Sequence, residues 1–236
     1  MSIAIVGGTG DEGFGLALRL GRAGEHVIIG SRSVERGQDA ARKAAEILSG
    51  TTPEGVQVDG TSNDEAVAIS DVVLVTVPFA GQAEIYRSIK DAFRQGAVVC
   101  DCTSPLATAV GGRAWQVLRP WNGSAAEEAK ALLPDHVRLV SGFQTVAGDA
   151  LQEMDHPLEG DVLLSGADAD AKATIGRLVE RIPDLRWVDA GPLSMARVVE
   201  PLTAILVSVN RRYGIRSAGM GMTGRDRWGP PPAKQG

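Results

Sequence analysis

Basic residues do not dominate this chain of 236 residues: 24 Lys and Arg stand against 29 Asp and Glu. A formal charge of -5 gives no general pull on polyanions, so neither nucleic acid nor a membrane surface is expected as a partner. Cysteine is nearly absent. The two present, Cys100 and Cys102, are poorly spaced for a disulfide and read as packed thiols in a reducing compartment. Histidine is as scarce, and His26, His136 and His156 fall at unrelated spacings, so no metal site is expected. No apolar run reaches about 18 residues, and no basic region precedes the first apolar run. These absences predict a soluble, cytoplasmic protein.

What is present is alternation. Short apolar runs at Ser2 to Val6, His26 to Gly30, Val56 to Val58, Val72 to Val77 and Ala97 to Cys100 are separated by helical spacing. The helical segments are Gly13 to Ala23, Val34 to Leu48, Asn63 to Ile69 and Phe79 to Phe93. This order predicts an α/β fold, a doubly wound parallel-sheet Rossmann domain over residues 1–145. Beyond Thr103, the breakers Gly111, Gly112, Pro120, Asn122 and Gly123 suggest an exposed excursion. Regular patterns then return: helices at Ala125 to Leu132 and Ala169 to Ile182, and strands at Val137 to Val140, Asp161 to Leu164 and Leu185 to Val188. A long helix from Leu193 to Tyr213 is apolar on more than one face, which predicts burial between subunits of a homodimer. Residues 146–227 are therefore expected to form a smaller C-terminal lobe, and the proline-rich residues 228–236 a disordered tail.

Gly8, Gly10 and Gly13 make G-x-G-x-x-G where the first strand meets the first helix, the context that turns a weak pattern into a strong one. The first glycine permits the turn, the second lets backbone approach a pyrophosphate, and the third lets helix and strand pack closely. An NAD enzyme places Asp or Glu at the end of the second strand; here that position reads Gly30-Ser31-Arg32. A carboxylate would repel a 2'-phosphate, whereas Ser31 can donate one hydrogen bond and the Arg32 fork two, with Arg36 one helical turn on. NADP(H) is predicted over NAD(H). Val77 and Pro78 close the fourth strand, and Thr103 the fifth, at the carboxyl edge where ligands sit in such folds.

Three segments together, Gly7-Gly8-Thr9-Gly10, Gly30-Ser31-Arg32 and Asp189-Ala190-Gly191-Pro192-Leu193-Ser194 with Arg197, Val199, Glu200, Leu202 and Thr203 behind it, resemble one family. It is the NADPH-dependent F420 reductases, also called F420H2:NADP oxidoreductases, and the similarity runs from Ile3 to about Gly214. The resemblance implies hydride exchange between NADP(H) and the 8-hydroxy-5-deazaflavin of coenzyme F420, in a homodimer. It also implies that Thr9, Gly10, Asp11, Glu12 and Gly13 hold the NADP phosphates, with Ser31, Arg32 and Arg36 on the 2'-phosphate. Thr145 and Val146 would press the two rings together, and Arg197 and Thr203 would line the deazaflavin pocket. Two positions depart from the family pattern: Gln144 where a histidine is common, and Pro201 where a serine is usual.

Both rings carry hydride by themselves, so no catalytic acid or base is expected. Two other readings keep the nucleotide. One is an NADP-dependent dehydrogenase of a small carbonyl or imine, which would want a lysine or acid beside the nicotinamide; Lys90, Lys130 and Lys172 all fall on helices instead. The other is a redox sensor that binds NADP(H) without turnover.

Overall fold

In the computed structural model, which describes residues 1–50, 57–224 and 228, strands and helices alternate along nearly the whole chain. The order is β1 (Ser2–Val6), α1 (Asp11–Arg22), β2 (His26–Ser31), α2 (Val34–Leu48), β3 (Val58–Ser62), α3 (Asn63–Ala68), β4 (Val72–Val75), α4 (Phe79–Ile89) and β5 (Val98–Asp101). Then come α5 (Ala125–Leu132), β6 (Arg138–Ser141), α6 (Gly148–Gln152), β7 (Gly160–Ser165), α7 (Ala169–Glu180), β8 (Leu185–Gly191), α8 (Ala196–Val199) and α9 (Leu202–Tyr213). All eight strands join one sheet in the order β3, β2, β1, β4, β5, β6, β7, β8.

Strands β1 to β6 pair in parallel, as strands joined by helical crossovers do, and all but the edge strand β3 are buried on both faces. Alternation along β1 divides the core. Ile3 and Ile5 pack on one face with Leu16, Leu18 and Leu20 of α1, whereas Ala4 and Val6 pack on the other with Tyr86 and Ile89 of α4. Because β1 lies between β2 and β4, successive crossovers leave it in opposite directions, and a crevice opens at its carboxyl end. Strand β7 then reverses, meeting β6 at the single pair Ser141 and Ser165. Strand β8 runs parallel to β7.

Three sequence expectations are corrected. Strand β3 continues past Val58 to Ser62; it is the outermost strand, half wetted, and its polar Asp59, Gly60 and Thr61 hide it from an apolar-run reading. The helix α6 is missed altogether, since five residues carry too few turns to show a period. The residues from Leu193 to Tyr213 do not form one regular helix but a 3-10 turn, α8 and α9, parted at Glu200 and Pro201. Pro201 lacks the amide that would have bonded back to the preceding turn. The boundary expected at residue 145 lies in the connection from β6 to α6, and β7 and β8 belong to the same sheet as β1 to β6. Val56 and the tail expected at residues 228–236 lie outside the described residues, Trp228 apart.

Candidate active site

Gly10 caps α1 with no side-chain hydrogen bond, so the first amides of the helix are left for an outside partner, and their dipoles favour an anion. The glycines differ in what demands them. A Cβ at Gly13 would run into Thr76 Oγ1 and come within 2.8 Å of the Gly8 Cα, so the start of α1 can approach the strand ends this closely only if residue 13 has no side chain. A Cβ at Gly10 would meet nothing nearer than 3.5 Å. Packing within the protein does not require glycine at that position; the room it leaves is the room a pyrophosphate needs. At the end of β2, Ser31 is buried while Arg32 and Arg36 are exposed beside it. Ser33 caps α2 by accepting from the Arg36 amide, which fixes the first turn that carries Arg36.

From this loop a cleft of about 660 Å³ runs along the carboxyl edge of β4 and β5 to α9. Gly10, Asp11 and Glu12 form one end, Val77, Pro78, Cys102 and Thr103 the floor, and Val146, Thr203, Leu206 and Val207 the far wall. The far wall is tied down by hydroxyls. Thr203 Oγ1 donates to the Gln144 carbonyl at 2.8 Å and lies 2.6 Å from Ser104 Oγ, joining α9 to the loops after β5 and β6. Thr103 Oγ1 likewise donates to the Val77 carbonyl at 3.2 Å.

Beneath the floor sits a buried polar network centred on Asp101, which has no solvent exposure. Its carboxylate accepts from Gln82 Nε2 and Tyr86 OH at 2.7 Å each and from the Thr103 amide at 3.0 Å. Burial pushes the Asp101 carboxyl up, against the pull of those donors. Glu12 lines the cleft above, with Oε1 buried and unpartnered. Burial and the neighbouring Asp101 carry its carboxyl up to about 8, and burial with the same charges raises the Cys102 thiol. Glu200 is also fully buried. It accepts from the amides of Ala125 and Ala126 at 2.8 and 3.0 Å, capping α5, and burial moves it up to about 8.

Of the residues expected at the site, Gly10, Asp11, Glu12, Val77, Pro78, Thr103, Val146 and Thr203 meet in this cleft. Gly8, Thr9 and Gly13 form the turn behind it. Ser31, Arg32 and Arg36 stand at the end of β2 and the start of α2, outside the cleft lining, and two further residues have partners of their own. Arg197 is not among the residues lining the cleft and makes a two-pronged ion pair with Glu127, both contacts at 2.7 Å, which holds α8 against α5. Thr145 is buried, donating to the Asp161 carbonyl at 3.1 Å, and lines a neighbouring cavity. Asp149, Asn210, Arg216 and Ala218 also line the cleft; they lie on α6, at the end of α9 and in the segment after it, where the sequence carries no motif. Lys172 is outside the cleft, held by Asp189 at 2.5 Å.

This geometry can be set beside known proteins. A family described as NADP oxidoreductase, coenzyme F420-dependent, matches residues 2–105. The F420-dependent NADP reductase of Methanothermobacter thermautotrophicus is 39% identical over 224 residues, covering 94% of this chain and 95% of that protein. The chain belongs to that family. A second F420-dependent NADP reductase, from Methanocaldococcus jannaschii, is 37% identical over 94% of this chain and 98% of the relative. Among solved structures, a putative F420-dependent NADP reductase from Arthrobacter sp. FB24 superposes with a TM-score of 0.77 at 21% identity, over 94% of this chain and 99% of that one. In this F420-dependent family member the expected Rossmann architecture is therefore present.

Proposed function

We propose that this chain moves a hydride between NADP(H) and coenzyme F420, as a soluble cytoplasmic homodimer. One observation carries the reading: a single cleft has the glycine turn of α1 at one end and α9 at the other, in a chain 37 to 39% identical to F420-dependent NADP reductases over 94% of its length. In this reading the amides of Gly10 to Gly13, with Thr9, hold the NADP phosphates. Ser31, Arg32 and Arg36 hold the 2'-phosphate, for no carboxylate stands at the end of β2 to repel it. Val77, Pro78 and Thr103 support the nicotinamide, and Val146 and Thr203 support the deazaflavin facing it.

Bound face to face, the two rings exchange hydride between carbons, and the work left to the protein is to align them and keep water out. Val77, Phe79, Val146, Leu206 and Val207 give the cleft the apolar lining for that. Thr145 supports Val146 from behind through its bond to Asp161. Mixing the pure protein with NADPH and oxidised F420 tests the reading: the deazaflavin absorbance should fall, and label from deuterated NADPH should arrive on the deazaflavin carbon. An unchanged spectrum would leave a carbonyl reductase or a non-catalytic sensor.

Nucleotide choice follows from the end of β2. NADPH should bind at least tenfold more tightly than NADH, since a charge-assisted bond to the 2'-phosphate contributes about 1.5 to 3 kcal/mol. Calorimetry with both nucleotides on wild type and Arg32→Ala measures it. A preference that Arg32→Ala leaves intact would remove Arg32 from the site.

Association rests on the outer face of α8 and α9. Val198, Ile205 and Tyr213 are 59%, 55% and 73% exposed in the single chain, an apolar stripe that solvent does not favour. Light scattering should give twice the chain mass for wild type and the chain mass for Ile205→Glu. A wild-type monomer at micromolar concentration would rule the dimer out.

A further inference from the structure

Among the described residues that line the cleft, Arg216 is the only cation, and it shares the space with the carboxylates of Asp11, Glu12 and Asp149. Its side chain is 80% exposed and reaches Asp149 only at 4.0 Å, the outer limit of an ion pair. The segment carrying it is nevertheless anchored. Helix α9 ends at Gly214, whose φ of 66° turns the chain back. Two residues after Arg216, the Ala218 amide donates to Asn210 Oδ1 at 2.9 Å. Farther on, the Met220 carbonyl accepts from the Asp161 amide at 2.7 Å, and the Met222 amide donates to Asp161 Oδ2 at 2.6 Å. Arg216 thus stands between fixed points at the cleft wall with its charge barely used.

We infer that Arg216 receives the phosphate of the coenzyme F420 side chain, leaving Asp149 to do so. The assignment rests on the F420 reading above. In that reading the NADP phosphates already have partners in the α1 amides and at the end of β2. The wall formed by Thr203, Leu206, Val207 and Asn210, from which Arg216 extends, belongs to the second ligand. A guanidinium suits this task, because its fork meets two phosphate oxygens at once, and Asp149 acts as a stand-in anion that keeps the side chain near the cleft.

Binding of F420 followed by its fluorescence, together with steady-state rates, tests the assignment. Arg216→Ala should raise Kd and KM for F420 about tenfold, with kcat at saturation within about twofold and NADPH affinity held. A deazaflavin trimmed back to its sugar alcohol, with no phosphate, should bind Arg216→Ala and wild type alike. Asp149→Asn, which removes the competitor, should tighten F420 binding instead of weakening it. A loss confined to NADPH would transfer Arg216 to the pyrophosphate and overturn the assignment, as would an equal loss for the trimmed deazaflavin or unchanged constants throughout. If wild type fails to reduce F420 with NADPH, the functional reading falls as well; if it succeeds and Arg216→Ala matches it, this assignment alone falls.

Discussion

Asp101→Ala should destabilise the protein by about 3 to 5 kcal/mol, since each buried donor stripped of its acceptor costs about 1 to 3 kcal/mol. Three donors converge on that carboxylate, but they are not equal. Gln82 Nε2 keeps a second acceptor, the Ala125 carbonyl at 3.2 Å, while Tyr86 OH and the Thr103 amide lose the acceptor drawn to them. Tyr86 is fully buried, so water reaches it only if the core opens. Urea unfolding measures the loss, and Asp101→Asn, which retains one acceptor oxygen, should fall between the two. A change below about 1 kcal/mol for Asp101→Ala would mean that the site hydrates and that the network is not what holds α4 to β5.

Stability should also fall as pH rises from about 5 to about 8, which is opposite to ordinary acid denaturation. Glu12 and Glu200 titrate from 4.5 in an unconstrained chain and at about 8 in the fold. Between those values the folded state keeps protons that the unfolded state releases, so the contribution is full below 4.5 and lost by about 8. Each pH unit in that window changes stability by about 1.4 kcal/mol per group. Glu127, lowered chiefly by its hydrogen bond from Arg197, acts in the reverse sense but only below 4.5, outside the window. Thermal melts across the range should show the decline, and Glu12→Gln should remove about half of its slope. A melting temperature that climbs with pH, or an unaltered slope in Glu12→Gln, would contradict the burial of these carboxyls.

Strands β1, β2, β4, β5 and β6 are legible in the sequence because each is a short apolar run, and β1, β2 and β4 are followed by helices with a clear period. The glycine turn is legible because its three glycines are spaced for a strand-to-helix turn: a Cβ at Gly8 or Gly13 would strike the chain itself, and Gly10 leaves room for a ligand. Strand β3 escapes because an edge strand is not obliged to be apolar, and α6 because its five residues are held by packing on α1 rather than by their own period. Arg197 has a partner that is hidden for a different reason. Its motif survives in the sequence, but which carboxylate lies within reach depends on how α5 and α8 cross, and that angle has no local signature. Glu200, the cap of α5 from 75 positions away, is hidden for the same reason. Arg216 and Asp149 belong to no motif at all; only the returning path of the chain after Gly214 brings them together.

The meeting of β6 and β7 at one residue pair, Ser141 with Ser165, has a bearing on how this cleft would tolerate redesign. Since the two strands run in opposite senses, Gly160 to Leu164 overshoot the sheet's carboxyl edge by five residues, roughly 16 Å at about 3.3 Å per residue. That overshoot raises the parapet on which Thr145 rests and to which the Met220 segment is moored. The height of the parapet is set by strand register and not by the lengths of the surrounding loops. Insertions between Gln152 and Gly160 should leave the cleft's depth alone, whereas a slip of two residues at the β6–β7 seam would alter it by about 7 Å, a coarse adjustment that no single side chain could reproduce.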